Sequence, residues 1–349
     1  IPLIKYYENK KYIKQILVTS STISSSKILK KFKFKKTIHQ FYPIDYFWFS
    51  NKFLNYWKPD VAIFLESEIW PSMFKSLKKR NTPLILLNAR ITNKTFNRWL
   101  KLRNFSMSIF NLIDIAYPQN NETKNYLQKL NVKNIKIIGN LKYIDNDETK
   151  TSKIDRKLFL QFKKYKTFVA ASTHDTEEEF AAKIHTLLKK KTNNLITIII
   201  PRHINRVNEI IHQIKKLKLN VITRTSKNKN LKNVDIFIVD TFGESKKFYK
   251  IATSVFLGGS IVKRGGQNPL EPARFGAKIL HGPNVGNFKE VYSYLNSLKI
   301  SFEVKTPLQC ANSTIFKKNM TKVKKMKSLG KNILIKTLNE LNKPIHNET

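Results

Sequence analysis

The feature that most constrains this chain is a repeated pattern. A short apolar run stops abruptly in polar or glycine residues, a stretch of helical length follows, and another apolar run begins. In the first part of the chain the runs are Gln15–Thr19, Val61–Leu65, Leu84–Leu87, Ile115–Tyr117 and Ile135–Ile138. In the second they are Thr167–Ala171, Leu195–Ile200, Asn220–Thr223, Asp235–Val239, Thr253–Leu257 and Lys278–His281. Runs without polar alternation suit strands buried on both faces, and parallel strands need long crossovers to join them. The pattern therefore predicts an α/β chain with parallel sheets and helices on both faces.

A polar shift at Asn146–Lys153 (NDETKTSK) reads as a linker, and 349 residues suit two domains better than one. The expectation is two doubly wound lobes. The first covers 1–147 and the second covers 148–349, ending in basic helices from Thr321 onward. Open α/β sheets bind ligands beyond the carboxyl ends of their strands, so a ligand site is expected in a cleft between the lobes. Phe41–Phe49 is an aromatic cluster expected to pack under a loop. Gln15–Thr19 is followed by a Ser/Thr-rich turn, Ser20–Ser26.

The charge admits two readings. Lys and Arg number 65 against 24 Asp and Glu, a formal +41. A polyanionic partner would explain it, whether nucleic acid, anionic lipid or phosphorylated glycolipid. A genome-wide bias would explain it too, because lysines are spread throughout and Asn and Ile are also abundant. One cysteine, Cys310, excludes an internal disulfide and fits a reducing compartment. The seven histidines lack metal-ligand spacing. No window approaches ~18 uninterrupted apolar residues, the length of a spanning helix. The chain starts at Ile1, not Met, and is expected to be a fragment whose anchor or signal lies outside it.

Several strand ends carry residues with chemical uses. Gly258-Gly259-Ser260 follows an apolar run and leads through Gly265-Gly266 to Asn268-Pro269-Leu270-Glu271-Pro272. Paired glycines allow close phosphate approach, and Asn-Pro-Leu-Glu reads as a helix start that would favour an anion. An ordinary strand–turn–helix connection fits the glycines equally. Ser172 and Thr173 offer hydroxyls, Arg202 a planar fork of donors for a phosphate, and Gly243 close approach to a base. Arg202 alone would also suit a surface ion pair. The first lobe offers Glu66, Glu68, Arg90 and Lys142. Its two glutamates suit acid/base work or acceptor binding, or simply complement a helix dipole.

Taken together and in order, these motifs resemble the Kdo transferases, which move 3-deoxy-D-manno-octulosonate from CMP-Kdo to lipid A precursors. The motifs are Glu66-Ser-Glu-Ile-Trp-Pro71, Asn88-Ala-Arg90, Gly139-Asn-Leu-Lys-Tyr143, Ala171-Ser-Thr-His174, Pro201-Arg-His203, Asp240-Thr-Phe-Gly-Glu244 and the Gly258–Pro272 stretch. The resemblance implies a GT-B architecture of two Rossmann-like lobes and an inverting, metal-independent transfer with no cofactor. It implies that CMP is held by Pro201-Arg202, by Phe242-Gly243-Glu244 and by Asn268-Pro269-Leu270-Glu271. Glu66 or Glu68, with Lys142, would stabilise the transition state. The partners implied are CMP-Kdo, lipid IVA and an anionic membrane surface at the cytoplasmic face of a Gram-negative inner membrane, with no nucleic acid. Another nucleotide-sugar transferase or an epimerase of the same architecture is the alternative. A basic nucleic-acid-binding protein ranks below both, because no recognisable module interleaves the basic residues.

The family's proposed base is a glutamate in a Gly-Glu pair upstream of a segment resembling Pro2-Leu3. It is expected before Ile1, so the chain is expected to bind CMP but turn over poorly. Two motifs depart from the family pattern. Thr19–Ser25 lacks the usual terminal glycine, and Gly265-Gly266-Gln267 stands where Gly-Gly-His is usual.

Overall fold

The computed structural model of the protein describes residues 1–144, 154–227 and 229–346, so the linker read at Asn146–Lys153 lies outside the described residues. Every strand expected from an apolar run is present except one. In chain order they are β1 (Ile16–Ser20), β2 (Thr37–Phe41), β3 (Ala62–Leu65), β4 (Leu84–Ala89), β5 (Ile115–Pro118), β6 (Lys166–Thr173) and β7 (Leu195–Pro201). Then follow β8 (Val221–Thr223), β9 (Ile236–Ile238), β10 (Ser254–Leu257), β11 (Lys278–His281) and β12 (Ser301–Glu303). The exception is Ile135–Ile138. Ile135 makes a single parallel bridge to Ala116, and Ile137 is exposed where the chain leaves the sheet edge. The short β2 and β12 were not anticipated, having no long apolar run to mark them.

The residues group into two units, Ile1–Asn146 with Ser328–Thr349, and Asp147–Lys327. In the first unit β1 and β2 pair in parallel, and β3, β4 and β5 form a second parallel sheet. β4 is buried along its whole length, and its alternate side chains serve two cores. Leu84 and Leu86 pack with Phe74, Phe110 and Leu127, whereas Ile85 and Leu87 pack with Tyr7, Tyr117 and Leu341. This is the period-2 geometry of a strand covered on both faces.

Three first-unit expectations are corrected. β3 was expected to be buried, but it is an edge strand whose Ile63 and Leu65 face outward. In the aromatic cluster only Tyr42 packs, tilted against Trp70 at 4.8 Å, while Tyr46, Phe47, Trp48 and Phe49 are exposed. Within the Ser/Thr stretch, Thr22 caps the helix Ile23–Lys30 by accepting from the Ser25 N–H, so part of that turn is helix.

The last helix, Met320–His346, also departs from the expected division. From Ser328 it belongs to the first unit, not to the second lobe. Leu338 and Leu341 complete the core around Tyr7 and Ile85, and Glu340 accepts a hydrogen bond from Tyr117. Gly330 lets this helix approach, because a Cβ there would stand 2.5 Å from the Tyr143 carbonyl oxygen. Periodicity shows that a helix has an apolar face but not which core that face covers.

The second unit is a seven-stranded parallel sheet in the order β12-β11-β10-β6-β7-β9-β8. Its parallel strands share one carboxyl edge, which gathers the residues that follow β6, β7, β9 and β10. The central strand β6 shifts register between Ala171 and Thr173, and Ser172 there has a left-handed φ of 55°. β4 shows the same irregularity between Leu87 and Ala89, with Asn88 at φ 52°. Left-handed non-glycine residues at strand ends cost backbone energy and gather at functional sites.

Candidate active site

In the first unit, the ends of β3 and β4 and the turn Leu141–Tyr143 bring the predicted residues together. Glu66 ends β3 with φ 56°, its N–H donating to the Leu87 carbonyl and its carbonyl accepting from the Arg90 N–H. Lys142 Nζ lies 3.4 Å from Glu66 Oε1. Glu68 is exposed and accepts from the Trp70 indole N–H at 2.8 Å. Arg90 extends from the end of β4, and its guanidinium has no ion-pair partner among the described residues. Glu66 and Lys142 are thus one pair, with Glu68 and Arg90 flanking it in sequence.

The placement of Lys142 depends on residues outside the predicted set. Asn88 is buried, and its side-chain oxygen accepts from the Leu141 N–H at 3.0 Å. Asn140 accepts from the Lys142 N–H at 3.0 Å and donates to Gln119 at 3.2 Å. An asparagine inside an otherwise apolar strand must find partners when buried. That was the available signal, since Asn88 and Asn140 stand in the quoted motifs.

In the second unit the glycine loop already has an occupant. The Glu177 carboxylate has no exposed surface. Its Oε2 accepts from the N–H groups of Gly259 at 2.7 Å and His174 at 3.0 Å. Its Oε1 accepts from those of Ser260 at 3.1 Å and Ile261 at 3.0 Å. The expectation that Gly259 and Ser260 offer their N–H groups to a nucleotide phosphate is therefore corrected. Ser260 is also fully buried, with its hydroxyl donating to the Leu257 carbonyl and accepting from the Gly282 N–H at 2.8 Å. The glycines serve close packing instead: a Cβ on Gly258 would stand 2.5 Å from the Ser172 carbonyl oxygen. Thr173 is fully buried and Ser172 only partly so.

The remaining predicted residues divide by exposure. Arg202 is exposed just beyond β7, anchored through its N–H to the Thr173 carbonyl, and its guanidinium has no ion-pair partner among the described residues. Pro201, Pro269 and Leu270 are buried and shape the backbone rather than present groups. Asn268 accepts from the Leu270 N–H at 3.0 Å, but the helix begins one residue later than expected, at Leu270 with Pro269 as its cap residue. Glu271 is partly exposed and lies 3.4 Å from Lys246.

Phe242 and Gly243 line an open cleft of about 540 Å³ together with Arg224, Thr225, Lys229 and Lys247. Phe242 is 78% exposed, so its ring is available for stacking. Glu244 is committed elsewhere. It pairs with Lys247 and with Arg224 at 3.2 Å and accepts from the Thr241 hydroxyl. Burial works against its charge, but Lys247, Thr241 and Arg224 outweigh burial and hold its carboxyl below the usual range. The cleft therefore presents Arg224, Lys229 and Lys247, cations that motif reading did not single out from the abundant lysines. Among the described residues no group of three or more His, Cys, Asp or Glu is placed to hold a metal ion.

Comparison with known proteins identifies the family. A family model described as 3-deoxy-D-manno-octulosonic-acid transferase (kdotransferase) matches residues 1–144. A 3-deoxy-D-manno-octulosonic acid transferase of Rickettsia prowazekii is 33% identical over 320 residues, covering 92% of this chain and 69% of the relative. The chain belongs to the Kdo transferase family. The Haemophilus influenzae transferase is 30% identical over 311 residues, covering 87% of this chain and 72% of that one. Among solved structures, the UDP-GlcNAc 2-epimerase from Neisseria meningitidis bound to UDP-GlcNAc aligns with a TM-score of 0.62 at 13% identity. That alignment covers 97% of this chain and 95% of the epimerase. At such identity the likeness concerns the fold alone, the GT-B arrangement of Rossmann-like lobes expected for a Kdo transferase.

Proposed function

We propose that this chain transfers Kdo from CMP-Kdo to the phosphorylated disaccharide of a lipid A precursor, lipid IVA, in lipopolysaccharide biosynthesis. The observation that carries the reading is the 33% identity to the Rickettsia prowazekii transferase over 92% of the chain. The reaction proceeds with inversion and without metal or cofactor. An acceptor hydroxyl attacks the anomeric carbon from the face opposite CMP. The new C–O bond forms as the bond to the CMP phosphate breaks, and that electron pair leaves with CMP. A base takes the hydroxyl proton; none of the described residues is assigned that role.

The chain's own groups suit these steps. The Arg202 guanidinium, without an ion-pair partner among the described residues, meets the phosphate of CMP, and the exposed Phe242 face and the cations Arg224 and Lys229 serve the rest of the nucleotide. Lys142, held against Glu66, supplies positive charge where negative charge develops. The acceptor is a phosphorylated lipid, and the first unit has a surface that suits one. Tyr46, Phe47, Trp48 and Phe49 are exposed beside lysines, with Lys79 4.7 Å from the Phe47 ring and Lys52 5.4 Å from the Trp48 ring. Amphipathic aromatics flanked by lysines favour the interface of an anionic membrane, here the cytoplasmic face of the inner membrane. Among the described residues no helix is long and apolar enough to cross a membrane.

Thermal stabilisation by CMP, UMP and GMP tests the donor. CMP alone should raise the melting temperature of the wild-type chain. Arg202→Ala should weaken CMP binding about tenfold to a hundredfold, the cost of one charge-assisted contact. A shift selective for UMP would favour the epimerase-like alternative and overturn this reading.

A further inference from the structure

Backbone N–H groups from two separate segments converge on one buried carboxylate at the carboxyl edge of the seven-stranded sheet. Besides the four bonds already described, Val262 points its N–H at Glu177 Oε1 from 3.5 Å. Consecutive main-chain N–H groups curled around a point form the concavity that commonly binds phosphate. Here Glu177 fills it from the first turn of the helix Glu177–Lys189, where the helix dipole also favours a negative charge. Burying a carboxylate is costly unless hydrogen bonds replace its water, and these N–H groups do so. No lysine or arginine pairs with Glu177 among the described residues; His174 lies beside it, with Nδ1 3.7 Å from Oε2, and is charged only when protonated.

His174 is the second element of the arrangement. Its side chain is 13% exposed, and Nδ1 is buried without a hydrogen-bond partner. The ring lies against the glycine turn, with Cε1 3.2 Å from where a Cβ on Gly259 would stand. It meets the His203 ring edge-on at 5.8 Å, next to Arg202 in sequence. The titratable and charged groups that act on it are Glu177, His203 and Arg264, together with a backbone hydrogen bond at Ser172. Burial lowers its pKa, Glu177 opposes that, and His203 and Arg264 add to it.

We propose that Glu177 is the positioning residue of this edge. Its carboxylate takes the place that a phosphate holds in a nucleotide-binding loop, and so fixes both the Gly258–Val262 turn and His174 for the ligand that binds beside them. The donor phosphate then belongs outside the turn, at Arg202. This inference rests on the reading that the second unit holds the donor nucleotide.

The test uses the full chain with Glu177→Ala, Glu177→Gln and, as control, Glu179→Gln, which alters an exposed pair with Lys183 on the same helix. Three quantities are measured: melting temperature, CMP affinity by calorimetry, and the histidine ring resonances of 13C-histidine-labelled protein. Melting and affinity are measured in sodium acetate and in sodium chloride of equal concentration. Glu177→Ala should melt lower than wild type, and both Glu177 variants should bind CMP at least about tenfold more weakly. Acetate should enter the emptied nest, raising the melting temperature and recovering CMP affinity in Glu177→Ala but not altering wild type or Glu179→Gln. The His174 ring, assigned by its loss in His174→Gln, should titrate at lower pH in Glu177→Gln.

CMP binding by both Glu177 variants at wild-type strength would overturn the positioning role. A folded Glu177→Ala indifferent to acetate would overturn the internal anion. If Glu177→Ala does not fold, Glu177→Gln carries the affinity and resonance measurements. If wild type itself fails to bind CMP, the donor reading falls, and the acetate and resonance results still decide the role of Glu177 in the turn.

Discussion

Lys142 Nζ stands 3.4 Å from Glu66 Oε1, a pairing of residues from two distant motifs in the first unit. Both side chains are partly exposed, so the pair adds little stability, and its use lies in where it puts a positive charge. Glu66 holds its position through a left-handed backbone and two main-chain bonds, and Lys142 through Asn88 and Asn140. Lys142→Ala should lower kcat for Kdo transfer by about 10²–10³-fold, the usual cost of one electrostatic stabiliser, with CMP affinity within twofold or so of wild type. Single-turnover kinetics with calorimetry separate the two. A loss confined to KM would refute the assignment.

Asn88→Leu should displace Lys142 without touching any substrate. It removes the acceptor for the part-buried Leu141 N–H, a loss of about 1–3 kcal/mol, and it places a leucine at a left-handed φ of 52°. Both the melting temperature and kcat should fall. A normal kcat in a destabilised protein would show that Asn88 does not position the lysine.

Glu244 gives the cleft a pH signature. Its folded-state pKa lies below that of a free glutamate, because Lys247, Thr241 and Arg224 overcome the effect of burial. The folded state therefore holds a proton less readily than the unfolded chain. The resulting stability is present above the ordinary glutamate range and is lost as pH falls through the lowered value. Glu244→Gln should destabilise the protein near neutrality by about 2 kcal/mol, and the difference should shrink in acid. Denaturant titrations across the acid range check this; a constant difference would exclude the linkage.

His185 should shape stability at milder acidity. It is fully buried, with Nδ1 3.0 Å from Thr197 Oγ1 and Nε2 3.3 Å from Asp235 Oδ1, and Lys189 also pairs with Asp235. Burial lowers its pKa more than Asp235 raises it. The unfolded chain thus takes up a proton that the folded ring refuses, and stability falls as pH drops through the ordinary histidine range. His185→Gln should flatten the stability curve between about pH 7 and pH 5, where free histidine titrates. An unchanged slope in that window would assign it to other groups.

The exposed aromatics can be tested on vesicles. Trp48→Ala, alone and with Lys52→Ala and Lys79→Ala, should reduce sedimentation with vesicles containing anionic phospholipid. Each lysine near the surface is worth about 1 kcal/mol of membrane attraction, so the combined variant should bind at least tenfold more weakly. Equal binding to anionic vesicles by all forms would separate this surface from any anionic membrane.

What the sequence by itself determined was local and periodic. Apolar runs of strand length marked ten of the twelve strands, and their breaks placed Glu66, Ser172, Arg202, Phe242 and Gly258 at strand carboxyl ends. The ordered motifs named the family. Tertiary structure decided which donor faces which acceptor. No local pattern shows that Glu177, 82 positions before Gly259, supplies the anion for the glycine turn, or that Arg224 from beyond β8 claims Glu244. Nor does periodicity reveal that β3 is an edge, or that Leu338 and Leu341 complete the first unit's core. The physical reason is common to all four. Propensity and periodicity act over a few residues, whereas partners for buried charges and apolar faces are chosen by chain crossings that bring distant segments together.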